Sequence, residues 1–220
     1  MNMPDGGPPV ADDYKCRFSL QDGWVDLSLE GGTKAEALGL AGQAVDRFNP
    51  IELTVGGREL VDELADRAMY LNKGEPNFAA SYYTAGGIRL ADLLVDSYGE
   101  ESTPRPAPAE VTPLLLDWSN AEIVGDPDIA YMDLATGAAA VRVRSVLKVK
   151  RMLGFGSRLG EFIKYAVFPP GFNTLDVIAV SWENMERSDE IAQLADELVS
   201  TMTIVHVDAD GNEIPHELPS

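Results

Sequence analysis

The sequence predicts an α+β fold in which helices flank an antiparallel β-sheet. Three observations support this fold class. Strand-like runs lie together in the second half of the 220-residue chain, helical patterns lie in separate blocks, and the turns between strands are short. A doubly wound parallel sheet would need strands and helices that alternate along the chain, and this order is not found.

Two hairpins are predicted in the first half of the chain. Apolar residues alternate over 16–20 and again over 25–29, with Gly23 in the turn between them. A second pair of strand-like runs, over 78–83 and 88–95, is separated by another glycine-containing turn. Alternation on both sides of a glycine turn is typical of paired antiparallel strands.

Four helices are predicted from caps and apolar stripes. Thr33 and Glu36 have the spacing of a capping box at the start of the first helix. An apolar stripe over 60–71 predicts the second helix, and a short third helix is expected over 110–117. The fourth is the clearest, because apolar residues recur at helical spacing after Ser188, its expected N-cap.

The second half is predicted to supply most of the sheet. Its strand-like runs are grouped together and joined by short turns, as expected for an antiparallel sheet. They cover residues 121–124, 129–134, 138–152, 162–168 and 175–182.

The sequence predicts one folded domain between two tails. Residues 1–13 are rich in proline, glycine and aspartate, which predicts a disordered N-terminal tail. Residues 207–220 are polar and contain proline, which predicts a flexible C-terminal tail. The domain is therefore expected over 14–206, with a Pro-rich loop at 99–108.

The opening motif Phe18-x-Leu20-x-x-Gly23-Trp24 is followed by helices, a long antiparallel run and a closing amphipathic helix. This order resembles the PsbP/DcrB-like superfamily. The resemblance implies an α/β/α sandwich built on an antiparallel sheet, and it covers most of residues 14–206.

Two departures from that superfamily are visible. Gln21 and Asp22 stand where its members commonly carry a proline, and the loop at 99–108 together with extra strands before Ala138 has the character of an insertion. Members are typically non-enzymatic accessory proteins, assembly factors or chaperone-like binders of other proteins. The resemblance thus implies a non-catalytic adaptor whose partner is another protein.

Composition narrows the partners and the compartment. The formal net charge of −19 disfavours binding to nucleic acid or to an anionic membrane surface. Cys16 is the single cysteine, so a disulfide framework or a cysteine-rich metal site is excluded. No apolar run has the length of a membrane span, and no secretory leader is recognised, so we expect a cytoplasmic protein.

The residues needed for most catalytic or metal sites are scarce. His206 and His216 lie at or beyond the end of the expected domain, where they cannot easily be held against a nucleophile. The glycines over 154–160 have the spacing GxGxxxG and join two strands, so they predict a turn rather than a phosphate site. No catalytic residue, metal or cofactor is therefore predicted.

Two alternative functions remain open. A hydrolase could use carboxylates alone, and Asp117 and Glu183, each next to a tryptophan, are its first candidates. It would need a cleft that holds two acids, at least one of them with a raised pKa. A small-molecule-binding protein would instead need an apolar cavity between sheet and helices, with candidate lining residues Tyr82, Tyr83, Phe162 and Tyr165.

One stretch stands out against the acidic background. No acid occurs over 134–160, while arginine and lysine recur there, in part at alternate positions. Alternate residues of a strand share a face, so this pattern predicts a basic strip that docks an acidic partner segment. The alternatives are that these cations pair with neighbouring acids of the same chain or guard an edge strand. The predicted partner-binding residues are Arg142, Arg144, Lys148, Lys150 and Arg151.

Overall fold

A computed structural model describes residues 13–99, 103–118, 121–150, 157–208 and 212–214. The strands are Asp13–Arg17 (β1), Trp24–Asp26 (β2), Phe78–Tyr83 (β3), Arg89–Tyr98 (β4), Ala121–Asp133 (β5), Ala139–Lys150 (β6), Ser157–Phe168 (β7), Leu175–Trp182 (β8) and Thr203–Val207 (β9). Within these residues, seven strands form an antiparallel sheet in the order β2-β3-β4-β8-β7-β6-β5, and β1 pairs with β9 in a separate ribbon. The α+β class with an antiparallel sheet is thus confirmed.

Helices cover both faces of the sheet. They are Lys34–Val45 (α1), Gly57–Leu71 (α2), Pro108–Leu115 (α3) and Ser188–Ser200 (α4). On the α4 face, α4 and the β1–β9 ribbon pack on a core that contains Ile163 and Ile178. On the opposite face, called the α3 face, α1 and α2 pack on β2–β4, and α3 packs on Val141 and Phe162. The result is the α/β/α layering that the resemblance implied.

The N-terminal cap predicted from the sequence is present in α1 but differs in α4. The backbone N–H of Glu36 donates to Thr33 Oγ1 at 3.2 Å, and the Glu36 carboxylate accepts from the Thr33 backbone, which confirms the capping box. At α4 the N-cap is Arg187 rather than Ser188. The Ser188 hydroxyl donates instead to the buried carboxylate of Glu161, a charged acceptor that competes with the helix backbone. No helix of the described ranges is long and apolar enough to cross a membrane.

The hairpin predicted over 16–20 and 25–29 is wrong. β1 pairs with β9 and β2 pairs with β3, so the two runs belong to different sheets. The turn itself exists, since the Trp24 N–H donates to the Gln21 carbonyl at 3.1 Å and Gly23 adopts φ +95°. Alternation identified the strands but could not identify their partners. The other predicted hairpin is correct and is formed by β3 and β4.

Regular structure among the described residues extends beyond the boundaries expected for the tails. β1 begins at Asp13, while residues 1–12 lie outside the described residues. At the other end, the Ile214 N–H donates to the His206 carbonyl and the Asp208 N–H to the Asn212 carbonyl, each at 2.9 Å. Pairing of this segment with the end of β9 therefore continues past residue 206.

The Pro-rich loop is anchored through one side chain. Arg105 Nη1 donates to the carbonyls of Pro169, at 2.7 Å, and Thr174, at 3.3 Å. Its guanidinium also lies 5.2 Å from the ring centroid of Phe168. Residues 100–102 lie outside the described ranges. The rest of the loop connects β4 to α3 along the end of the sheet.

Candidate functional site

The predicted basic strip lies on β6 and faces α4. The register between β6 and β7 is continuous from Ala139 to Lys150, so Arg142, Arg144 and Lys148 point to the same face of the sheet. Lys148 is exposed and stands opposite Glu122 in the β5–β6 register. The side chain of Lys150 and the whole of Arg151, the other two predicted residues, lie outside the described part of the structure.

Arg142 is held by acids of its own chain. Its Nε donates to Asp196 Oδ1 at 2.8 Å, and its Nη1 donates to Asp128 Oδ2 at 2.9 Å. Burial lowers the pKa of this guanidinium, but hydrogen bonding and attraction from Asp196 outweigh it and the pKa lies above its ordinary value. The Tyr165 hydroxyl also donates to Asp196, and burial together with this carboxylate raises the pKa of Tyr165. Asp196 therefore joins α4 to β6 and β7.

Arg144 is held in the same way about two turns closer to the start of α4. Its Nε donates to Glu161 at 2.5 Å and its Nη2 to Asp189 at 2.9 Å. Glu161 is only 6% exposed and also accepts from Ser188, whose hydroxyl in turn accepts from Trp182 Nε1 at 3.2 Å. The positive charges of Arg142 and Arg144 are thus neutralised within the protein, as the internal-pairing alternative proposed.

A groove separates α4 from the outer strands β5 and β6. Its two halves have volumes of about 520 Å³ and about 400 Å³, and both are lined by Arg142, Asp196 and Ser200. The larger half runs past Asp189 and Gln193. The lining residues of α4 extend from its first turn to its last, so the groove is roughly 16 Å long at 1.5 Å per helical residue. It is open to solvent along one side.

The net charge around the groove is negative. Its two arginines are paired with four acids: the side chain of Asp189 is 96% exposed and that of Asp128, at the neighbouring edge, is 68% exposed, and the other two are Glu161 and Asp196. Glu197 adds a fifth acid, so two positive charges face five negative ones. A positively charged occupant is therefore favoured over the acidic segment that the basic strip alone suggested.

The other side of β5 is apolar and exposed. On the α3 face, Tyr131 is 60% exposed, Leu114 of α3 is 65% exposed, and Ile129 is also exposed. The hydroxyls of Tyr131 and Thr112 lie 3.2 Å apart, which holds this part of β5 against α3. We call the groove and the adjoining edge of β5, residues 128–133, the β5–β6 flank. It combines a net negative charge on the α4 face with exposed apolar side chains on the α3 face.

The two acids named as hydrolase candidates do not line this groove. Asp117 is exposed, and Glu183 is ion-paired with Arg158 at 2.7 Å. Burial raises the pKa of the Asp96 carboxyl, although a backbone hydrogen bond from Asn77 opposes this shift. Asp96 lines neither half of the groove and points to the α3 face. A hydrolase would need a cleft that holds two acids, at least one of them with a raised pKa.

The candidate small-molecule cavity is largely filled. Tyr83 and Phe162 are buried in the cores beneath α1, α2 and α3, where the ring of Tyr83 packs against Phe48 and that of Phe162 against Trp118. Tyr165 lies at the floor of the smaller half of the groove, but its hydroxyl is bonded to Asp196. Tyr82 packs edge-on against the indole ring of Trp24.

Other reactive side chains are also engaged in packing. Cys16 donates from Sγ to Asp176 Oδ2 at 2.9 Å, and Ser97 donates to Asp176 Oδ1 at 2.6 Å. His206 lies in β9 opposite Tyr14, and its ring centroid is 5.2 Å from that of Phe172. Among the described residues, no group of three or more histidine, cysteine, aspartate or glutamate side chains could hold a metal ion. The glycine-rich 154–156 segment lies outside those residues.

No protein-family model and no curated protein matches the chain. The structure is similar to the solution structure of cyanobacterial PsbP (CyanoP) from Synechocystis sp. PCC 6803. The TM-score is 0.47 and the sequence identity is 12%, over 90% of this chain and 96% of that chain. PsbP belongs to the PsbP/DcrB-like superfamily, which the order of elements in this chain resembles. The likeness concerns the fold alone.

The acids that define this site were not identified from the sequence. Asp196 lies 54 positions from Arg142, and Asp189 lies 45 positions from Arg144. A partial signal was present, because Asp189, Gln193, Asp196 and Ser200 recur at helical spacing on α4, beside its apolar stripe. That spacing predicts a polar face of the helix but not the strand that it contacts.

Proposed function

We propose that this chain is a non-catalytic accessory protein that binds a basic, extended segment of another protein at the β5–β6 flank. The observation that carries the proposal is the α4 groove, whose net charge is negative although its floor contains two arginines. Arg142 is paired with Asp128 and Asp196, and Arg144 is paired with Glu161 and Asp189. Glu197 on the rim adds a fifth acid.

The shape of the groove favours a chain segment over a small ligand. Ligand pockets bury most of their ligand, whereas this groove is open along its length. At about 3.3 Å per residue, an extended segment of roughly five residues would span its length of roughly 16 Å. The net charge of −19 would attract such a segment over a longer range and discourage acidic partners. We place the interaction in the cytoplasm, in keeping with the unpaired thiol of Cys16.

Fluorescence anisotropy with short labelled peptides tests this proposal. The basic probe is an eight-residue peptide in which lysine and valine alternate, and its counterpart carries glutamate in place of lysine. We expect saturable binding of the basic probe and none of the acidic one. The variant D189N/E197K makes the groove less negative and should weaken binding at least tenfold.

The matched control is D62N/D66K, which makes the same change of charge on the exposed face of α2. It separates a site in the groove from general attraction to an acidic protein, because both variants alter the net charge equally. Circular dichroism of both variants checks that α4 and α2 are intact. Equal weakening by the two variants, or no saturable binding to the unaltered protein, would overturn the proposal.

A further inference from the structure

β5 is an outer strand with an open edge. It is 13 residues long, and it pairs with β6 on one side only within the described part of the chain. The outer edge of such a strand presents unpaired backbone N–H and C=O groups that can hydrogen-bond another extended segment. Natural proteins usually block such edges with charges, proline, bulges or a covering element.

The first half of this edge is blocked. The register between β5 and β6 shifts between Val124 and Asp128, so residues 125–127 bulge out of the ladder. Gly125 adopts φ +79° there, and Pro127 has no N–H to offer. The regular edge available for pairing is therefore confined to residues 128–133.

The hydrogen-bond pattern shows which backbone groups of this segment point outward. The Leu134 N–H donates to the Ala138 carbonyl at 2.9 Å, which fixes Leu134 as a residue bonded to β6. Bonded and non-bonded pairs alternate in an antiparallel ladder, so Ala130 and Met132 are also bonded to β6. The backbone groups of Ile129 and Tyr131 therefore face away from the sheet.

The side chains along this edge differ between the two faces. Ile129 and Tyr131 lie on the α3 face, and both are exposed. Asp128 lies on the α4 face, where its side chain is 68% exposed. A segment added to this edge would send alternate side chains to these two faces. Apolar residues would suit the α3 face, and basic residues would suit the α4 face.

A second copy of this chain is a poor occupant. β5 carries the acids Glu122, Asp126, Asp128 and Asp133 and no lysine or arginine. Pairing of two copies along β5 would bring these acids together, and Arg142, which pairs with Asp128, is already engaged within each copy. Such like-charge contact across strands is destabilising. Charge complementarity therefore favours a basic partner over self-association.

We propose that the partner segment adds to residues 128–133 of β5 as an eighth strand, with basic and apolar residues in alternation. This inference rests on the proposed function and specifies how the partner binds. Main-chain hydrogen bonds to Ile129 and Tyr131 give the affinity, and the two faces of β5 give the preference for alternating residues. A segment with the same composition in blocks would place half of its side chains on the wrong face.

Backbone N-methylation of the basic probe tests strand addition directly. Alternate N–H groups of a strand point to the same side, so only one of the two sets, on lysines or on valines, can face β5. Methylation of that set should weaken binding at least tenfold, and methylation of the other set should leave it unchanged. A peptide with four lysines followed by four valines should also bind at least tenfold more weakly.

Two changes in the protein complement the probes. Ile129→Pro removes an outward N–H that makes no bond to β6, so it should preserve the fold and lose probe binding. Ile129→Ala removes the same side chain, keeps the N–H and should retain most of the binding. Hydrogen exchange at the Ile129 and Tyr131 amides should slow when the probe is added, while exchange at Ala130 should not change.

The outcomes separate this inference from the proposed function. If the unmethylated probe binds and both methylated probes bind equally well, strand addition is wrong and the proposed function stands. The same holds if both lose affinity equally, because pairing at an edge must distinguish the two sets. If the unmethylated probe does not bind, the proposed function itself fails. Concentration-dependent dimerisation in sedimentation that is lost in Ile129→Pro would assign the edge to a second copy and overturn the inference.

Discussion

Arg142 and Asp196 join the sheet to α4 where the two halves of the groove meet. Arg142 Nε lies 2.8 Å from Asp196 Oδ1, and the Tyr165 hydroxyl donates to the same oxygen. One carboxylate thus satisfies a guanidinium from β6 and a phenol from β7. The pair fixes the distance of α4 from the outer strands and so sets the width of the groove.

We expect Asp196→Ala to lower the free energy of unfolding by about 1–2 kcal/mol, because it leaves two donors without their acceptor in a half-buried place. Urea denaturation measures this loss. A double-mutant cycle with Arg142→Met should give a coupling of about 1 kcal/mol. Glu183→Ala is the control, since the exposed Glu183–Arg158 pair should contribute less than about 1 kcal/mol. An Asp196→Ala loss no larger than that of the control would contradict a structural role for Asp196.

Replacement of Glu161 should lower the free energy of unfolding more than replacement of Ser188, which donates to it. Glu161 is buried, and it accepts from Arg144 and Ser188 beneath the first turn of α4. We expect Glu161→Gln to destabilise the protein by about 2–3 kcal/mol, because Arg144 and Ser188 lose a charged acceptor. Ser188→Ala should cost only about 1 kcal/mol, since Arg144 keeps its partner. Thermal and urea unfolding of the two variants compare these losses, and the opposite order would refute this view of the cluster.

The sequence-based predictions are accurate where an element depends on residues close together in the sequence. They fail where it depends on a partner far away in the sequence. The capping box of Thr33 and Glu36 and the β3–β4 hairpin depend on residues close in sequence, and both were predicted correctly. The partner of β1 could not be predicted, because Cys16 alternates like any strand residue while β9 lies near the other end of the chain. Alternation likewise placed Arg142 and Arg144 on one face but could not show that α4 supplies their acids.

Lys164 should make stability depend on pH in the alkaline range. Its Nζ donates to the Leu115 carbonyl at 3.0 Å and lies 4.1 Å from the ring centroid of Trp118. Burial lowers the pKa of Lys164 to about 8, with attraction from Asp117 acting in the opposite direction. Between pH 8 and the ordinary lysine value near 10.4, the unfolded chain therefore binds more protons than the folded one.

Stability contributed by Lys164 should consequently rise as the pH increases from about 8 to 10.4. We expect the unfolding free energy of the unaltered protein, relative to Lys164→Met, to increase by on the order of 1 kcal/mol over this range. This increase in free energy is smaller than the full pKa shift would give, because the amine is partly exposed and the aromatic ring favours its charged form. Urea unfolding of both proteins at matched pH values gives this difference, in which other titrating groups cancel. A difference that stays flat or falls with pH would exclude a lowered pKa at Lys164.

The thiol of Cys16 should be unreactive in the folded protein. Burial raises the pKa of Cys16, and the adjacent Asp176 carboxylate raises it further by repulsion and by accepting the thiol hydrogen bond. The thiolate is the nucleophile, so alkylation by iodoacetamide at pH 8 should be at least about tenfold slower in the folded protein than in urea. Asp176→Asn removes the repulsion and should speed alkylation of the folded protein, while Asp62→Asn, on the surface of α2, should not. Mass spectrometry of the alkylated chain follows both rates, and rapid labelling of the folded unaltered protein would show that the Cys16–Asp176 contact does not protect the thiol.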